Sequence, residues 1–444
     1  MILTDNILLE IFDFYRHTHD DTLWDWHILV HVCRRWRQIV FESPHRLHLI
    51  IRCTSKTHVE NLGIWPAFPI AIDFDSVQGD AIVVPVHTDR VCYFKLDLTA
   101  GSQLDTLARI ASMPFPILTH LIIHVDGVHA PLLPDNFLGG SSPCLQRICL
   151  RNITFPALQT LLLSTSDLVE LQLCDTPIHH TTLPVRMATC LAELPRLKSF
   201  VLQFQSPFFT PDHIDRPRAI LLPALTNFEF RGSSKYLEEF VALIDCPQLD
   251  EMLIRLGHGY QLVQLFGFFD HTIPPFRTTK ACVYDNGVTL DLYHPTNRTG
   301  WDLRPAKTVI SFTPINSNYG LFDILYQFSA ILSTVVELKF VVNCQRYYSS
   351  DVYDLEWLPF LYRLPALQAL YMPLPLAKGI GRALKCLKGE EVAGVLPSLD
   401  LICLEDQAPS IQEFVDVRRL SGHPLTVVGT EVEFDQQLQS YGEK

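Results

Sequence analysis

A segment Pro-x-Leu-x-x-φ-x-φ, with φ apolar, recurs seven times along the chain: PILTHLII (116), PCLQRICL (143), PRLKSFVL (195), PALTNFEF (223), PQLDEMLI (247), PALQALYM (365) and PSLDLICL (397). Nothing else in the sequence restricts the fold as much, because self-similarity at a near-constant period is the mark of stacked supersecondary units. RVCYFKL near Val91, DLVELQL from Asp167 and TVVELKF from Thr334 keep the apolar pattern without the proline. TTKACVY (278) and AKTVISF (307) fall where the long gap after residue 249 calls for two further members. Together they make about twelve units at a mean spacing of about 28 residues.

Successive side chains of a strand leave on opposite faces, so the two φ residues point into a core and the x residues point outward. Between the strands, SQLDTLARIASM, KYLEEFVALI, LVQLFGFF and LFDILYQFSAIL carry the three- and four-residue apolar spacing of helices. PALQTLLL (156–163) fits the motif but lies too close to its neighbours to be a unit, and reads as a helix. One unit cannot bury its own apolar face; stacking supplies the core. The expectation is an α/β chain with a curved parallel sheet on its concave side and helices on its convex side, an irregular leucine-rich-repeat-like solenoid over residues 51–429. The asparagine that follows the strand in regular repeats is missing from most units, hence the irregularity. Asp285-Asn286-Gly287 before VTLDLY signals a local hairpin. Residues 430–444 read as a C-terminal tail.

The first fifty residues lack this pattern. From Thr4 to Tyr15 the apolar residues Ile7, Leu8, Ile11, Phe12 and Tyr15 recur at helical spacing, with Thr4 and Asp5 as N-cap residues. Trp26, Leu29, Val30, Cys33 and Trp36 begin a second helical pattern that continues through a bend to Ile39 and Val40, where Ser43-Pro44 stops it. So short an all-helical segment, residues 1–50, buries too little surface to be robust alone.

Leu3-x-x-x-Ile7-Leu8-x-Glu10-Ile11-Phe12, then Val32-Cys33-Arg34-Arg35-Trp36-Arg37 and Ser43-Pro44, resembles the F-box, the helical module that binds the Skp adaptor of cullin-RING ubiquitin ligases. LHLIIRCTSKTHVENLGIWPAFPIAIDF, KYLEEFVALIDCPQLD and RRLSGHPLTV extend a likeness to the expanded F-box proteins of basidiomycete fungi over nearly the whole length. Thr4 stands where the family usually has proline, and His48 where it often has tryptophan. The resemblance implies adaptor contacts among Leu3, Ile7, Leu8, Ile11, Phe12, Val32, Cys33, Arg34, Trp36 and Ile39. It implies a non-enzymatic substrate receptor whose solenoid holds a protein target. The competing expectation is an interaction scaffold with a vestigial F-box.

Other classes find less support. A net charge of −13 disfavours sequence-independent binding to nucleic acid or anionic membranes, which needs excess cation. Twelve scattered cysteines without a CxxC pair or signal peptide suggest reduced thiols and a cytoplasmic or nuclear protein. No apolar run reaches membrane-helix length. No GxSxG elbow or P-loop occurs, and Gly379-x-Gly381 lacks the third glycine of a dinucleotide site. His27 and His31 have a zinc-compatible spacing but no third ligand, and read as a solvated helix face. Cysteine nucleophiles need a neighbouring base and a lowered pKa, which the sequence does not reveal, so packing is the expected role. No cofactor or metal is expected.

Target contacts are expected from the outward x positions: His120, Arg147, Arg151, Glu170, Gln172, Gln203, Glu229, Arg231, Glu251, Arg255, Lys339, Tyr371 and Glu405. The opposing reading is a self-neutralised ladder, with Arg147, Arg151, Arg231 and Arg255 paired to Glu170, Glu229 and Glu251 across strands.

Overall fold

A computed structural model describes residues 3–17, 26–43, 47, 49–54, 67–74, 87–99, 112–127, 130–140, 142–154, 156, 158–176, 183–204, 219–257, 262–272, 276–284, 287–293, 308–312, 321–343, 357–387, 391–404, 409–420, 422–430 and 433. The chain is mixed α/β and its strands form a large, mostly parallel sheet. By contact it divides into two units, residues 1–199 and 200–444.

The repeated motif has a direct structural cause. In all seven copies the leucine N–H donates to the carbonyl three residues back, as in Leu118 to Phe115 (3.2 Å), Leu197 to Leu194 (3.1 Å) and Leu399 to Leu396 (3.0 Å). Proline therefore occupies the second position of a β-turn, where its fixed φ is already suitable. The leucine is then driven inward: Leu118, Leu145, Leu168, Leu197, Leu225, Leu249, Leu367 and Leu399, with Val335, are all buried. The next two residues donate to one carbonyl of the preceding unit, as Gln146 and Arg147 do to Thr119 (2.8 and 3.0 Å) and Asp250 and Glu251 do to Thr226 (both 2.9 Å). Each motif thus ends a turn, plants a core residue and sets the strand register.

In the first unit, β1 (Ile51–Thr54), β2 (Ile70–Phe74), β3 (Val91–Thr99), β4 (His120–Asp126), β5 (Arg147–Arg151) and β6 (Glu170–Thr176) pair in sequence order, all parallel. The φ residues Leu121, Ile123, Ile148, Leu150, Leu171 and Leu173 are each at most 2% exposed. Burial of such a side chain is worth about 1.5–3 kcal/mol. PALQTLLL supplies the helix Leu158–Leu163, as the spacing predicts, and Leu158, Leu161 and Leu162 are buried. Asn152, just after β5, has φ +54° and spends its side-chain amide on Val125 O and Gly127 O, both at 2.9 Å. Asn152 is therefore a buried brace between neighbouring turn-strand repeats.

The second unit holds β7 (Ser199–Phe204), β8 (Ile220–Leu221), β9 (Asn227–Gly232), β10 (Ile244–Asp245), β11 (Glu251–Leu256), β12 (Thr278–Tyr284), β13 (Gly287–Tyr293), β14 (Thr308–Phe312), β15 (Glu337–Asn343), β16 (Ala369–Met372), β17 (Leu401–Leu404) and β18 (Thr426–Val428). Its core is aromatic. Phe200 and Phe228 stack at 5.8 Å, and Phe240 and Tyr236 from the helix Ser234–Val241 pack onto Phe200, Phe228, Phe204 and Phe230. The expected helices in LVQLFGFF and LFDILYQFSAIL form at Val263–Thr272, Leu321–Gln327 and Ser329–Leu332. The segment SQLDTLARIASM lies almost wholly outside the described residues.

One expectation is corrected here. TTKACVY and AKTVISF are strands, but the order is β11-β14-β13-β12-β15, with β14 parallel to β11 and β12 parallel to β15. The anticipated hairpin is the reason: β12 and β13 pair antiparallel with Tyr284 opposite Gly287, and β14 reverses direction again. A three-stranded meander enters the sheet backwards, so even spacing in sequence does not give sequential order in space. β8 and β10 form a separate parallel pair. No helix among the described residues is long and apolar enough to cross a membrane.

Candidate functional site

The first candidate surface is made by three N-terminal helices, Asp5–His17, Trp26–Val32 and Arg34–Glu42. The single bent helical pattern expected from Trp26 to Val40 is two helices, because Cys33 N-caps the third helix, its sulfur accepting from Trp36 N at 3.5 Å. Leu8, Leu9, Phe12, Leu29, Val30, Ile39 and Val40 are buried, and Trp36 packs edge-on against Phe12 with ring centroids 4.7 Å apart. The arginines tie helices together. Arg35 donates to Asp5 Oδ1 (2.6 Å) and to Leu3 O (2.5 Å), and Arg37 donates to Val30 O (2.9 Å).

Among the polar residues left outside stand several large apolar ones. Ile7 and Ile11 lie one turn apart on the first helix and Leu3 just before it, all 43–46% exposed; Ile28 and Val32, one turn apart on the second, are 53% and 56% exposed. Large aliphatic side chains at this spacing, unburied, form an unpartnered face. Of the ten residues named from sequence, Leu3, Ile7, Ile11, Val32, Cys33 and Arg34 are exposed, Trp36 is half-buried, and Leu8, Phe12 and Ile39 lie in the core of the module. Ile28 was not anticipated, although its place four residues before Val32 is the same signal.

The second candidate surface is the outward face of the strands. In the first unit its side chains form a chain of contacts: Arg52 with Asp73, Lys95 Nζ with Asp97 (3.0 Å), and His124 Nδ1 with Asp97 Oδ1 (2.9 Å). His124 Nε2 lies 3.4 Å from Cys149 Sγ, whose proton points to Gln172 Oε1 (3.3 Å); Gln172 in turn donates to Glu170, which holds Arg147 at 3.1 Å. Arg151 pairs with Asp175 (2.8 Å). His120 lies between Tyr93 and Arg147 positions in register and has its pKa lowered, first by burial and then by Arg147. The sequence hid this network because Asp97, His124 and Cys149 meet only through strand register.

Asp97, His124 and Cys149 have the membership of a thiol-imidazole-carboxylate triad. Their environment opposes that chemistry, since burial pushes the Cys149 thiol up to about 12. A nucleophile needs the reverse shift. The thiol serves as a neutral donor in the ladder.

In the second unit Gln203 donates to Glu229 (2.8 Å), Arg255 pairs with Glu229 (3.2 Å), and Asn227 donates to Glu251 (2.7 Å). Arg231 is exposed and makes no ion pair or hydrogen bond among the described residues. Lys339 and Tyr371 do not reach solvent: Lys339 Nζ lies 4.8 Å from the Tyr371 ring centroid, and both side chains are buried. Every residue of β16 and β17 is buried, with Tyr371 and Cys403 joining Ala369 and Leu401 in one cluster. Glu405 lies outside the described residues, as do His179 and His180. Gly379 and Gly381 lie inside the helix Leu374–Lys385, so they form no phosphate loop.

No group of three metal-ligating side chains occurs among the described residues. Compared with known proteins, the chain matches no family model and no curated sequence.

Proposed function

We propose that the chain is a substrate-recognition subunit of a Skp-cullin-F-box ubiquitin ligase, acting without chemistry of its own. In this reading residues 1–50 are an F-box that docks on the Skp adaptor, and residues 51–429 are a leucine-rich-repeat-like solenoid whose outward strand face holds a protein target in the cytoplasm or nucleus. The observation that carries it is the exposed stripe Leu3, Ile7, Ile11, Ile28 and Val32 on helices whose sequence resembles the F-box. Turn-strand units that repeat the same inter-unit hydrogen bonds support the solenoid. The ligase's gain would be proximity, raising the effective concentration of target lysines near the ubiquitin thioester.

Thr4 and His48, where the family pattern has other residues, favour a second reading: a scaffold that has lost adaptor binding. Co-expression of the full chain with a fungal Skp adaptor and a cullin N-terminal region separates the two. A ternary complex surviving gel filtration supports the receptor; a folded chain that elutes alone supports the scaffold.

A further inference from the structure

On the outward positions of the second unit like charges meet in register at Lys280 and Lys339, where Lys339 lies over the Tyr371 ring, and at a second place where both cations are exposed. Arg231 on β9 and Arg255 on β11 are direct partners in register, so two exposed arginines leave adjacent strands at the same level. Like charges opposite one another destabilise a sheet, and rule-breaking positions are where function is to be sought. Arg147, Arg151 and Arg255 each have a carboxylate. Arg231 has none among the described residues.

The same register row continues through Ser311 on β14 and Thr289 on β13. Thr289 Oγ1 donates to Ser311 Oγ at 3.2 Å, which leaves the serine proton free to be donated outward beside Arg255. The facing acids are accounted for: Glu229 is shared by Gln203 and Arg255, and Glu251 accepts from Asn227. Two forked cations and a hydroxyl donor in one row match an oxyanion, which accepts bidentate hydrogen bonds from arginine.

We propose that Arg231, Arg255 and Ser311 bind an oxyanion carried by a protein segment, either a carboxylate or a phosphoryl group. This deepens the reading of the outward face as a target-binding wall and rests on it. The chain's overall charge of −13 repels anions in general, so capture depends on this row and not on the net field.

The test uses the full chain and fluorescence anisotropy with three labelled degenerate peptide pools: centred on phosphoserine, centred on a Glu-Glu pair, and neutral. One anionic pool is expected to bind saturably and to weaken as salt is raised, and the tighter pool identifies the source of the oxyanion. Arg231→Gln and Arg255→Gln should each weaken it by about tenfold, the loss of one charge-assisted hydrogen bond. Ser311→Ala should weaken it less, and Arg231→Lys should recover part of the loss. Arg186→Gln, which removes an exposed arginine from the helix Pro184–Ala192 and not from a strand, should leave binding unchanged. Unaltered circular dichroism and melting temperature would establish that each variant folds. The proposal is overturned if neither anionic pool exceeds the neutral one, if Arg186→Gln weakens binding as much as Arg231→Gln, or if a labelled single-stranded oligonucleotide binds as tightly as the better pool. Adaptor capture, measured on the same variants, should not change. A wild-type chain that captures the adaptor but binds neither anionic pool sinks the oxyanion row alone, whereas peptide binding by a wild-type chain that captures no adaptor sinks the receptor reading alone.

Discussion

Replacing Asn152 with alanine isolates what one side chain contributes to the stacking of units. The wild-type amide makes two hydrogen bonds, to Val125 O and Gly127 O, at 2.9 Å each, and φ at this position is +54°. Each bond contributes about 1 kcal/mol, with the carbonyls left poorly satisfied when it goes. Holding alanine in the left-handed region costs about 1 kcal/mol more than asparagine, which tolerates it. The sum, about 3 kcal/mol, should lower the melting temperature of a unit of this size by roughly 6–12 °C. Asn152→Asp sharpens the test, because it keeps the shape and the backbone tolerance but aims a carboxylate at two carbonyl oxygens. The folded pKa of that new acid must be raised, so its folded state binds the proton more tightly than the unfolded chain. Stability of Asn152→Asp should therefore be greater near pH 5 than near pH 7, falling as pH rises through the raised folded value. Calorimetry gives the melting shifts, and hydrogen exchange on peptides spanning residues 120–127 and 147–176 locates them. An Asn152→Ala loss under about 1 kcal/mol, or an aspartate variant as stable as wild type at pH 7, would refute the brace.

Three further outcomes follow from named contacts. Arg418 is 1% exposed and donates to Val395, Leu396 and Leu399 carbonyls at 3.1–3.4 Å; Arg418→Met should cost about 2–4 kcal/mol in urea titration, and Arg418→Lys should not restore it, since a single ammonium cannot reach all three. Alkylation with a maleimide at pH 7.5, read by peptide mass spectrometry, should label exposed Cys33, Cys144 and Cys386 and spare Cys149; labelling of Cys149 in the native chain at a comparable rate would show that its ladder opens. Glu238 accepts from Gln264 N (2.7 Å) and Leu265 N (2.9 Å) at the start of the helix Val263–Thr272, and burial raises its pKa despite these bonds. Its contribution therefore favours the folded state at acid pH and diminishes as pH rises through the raised folded value, and Glu238→Gln should remove that slope from a stability profile between pH 4 and 7.

Much of the fold was legible because the repeat writes its own register. Proline marks the turn, leucine the core and φ-x-φ the strand, and each is a local requirement that leaves a local trace. The reversed meander was not legible, since an apolar strand such as TVISF at 308–312 reads alike whether it pairs with β11 or with β12. Nor was the closure of the outward face over Tyr371 and Cys403: alternation tells which way a side chain points, not what covers it. At the N-terminus helical spacing grouped Ile7 with Leu8 and Ile11 with Phe12. Only packing separated the members that hold the helices together from those left in solvent.

The central claim is that the exposed stripe, and not the core of the helical module, meets the adaptor. Its most direct test is the affinity of a purified fungal Skp adaptor for the full chain and for Ile7→Asp, Ile11→Asp and Val32→Asp, measured by biolayer interferometry. These residues are exposed, so the variants should melt like wild type. Desolvating even one aspartate in an apolar interface should weaken binding by at least about tenfold. Wild-type protein that melts cooperatively and shows no adaptor binding, or adaptor binding that all three aspartates leave intact, would contradict the account.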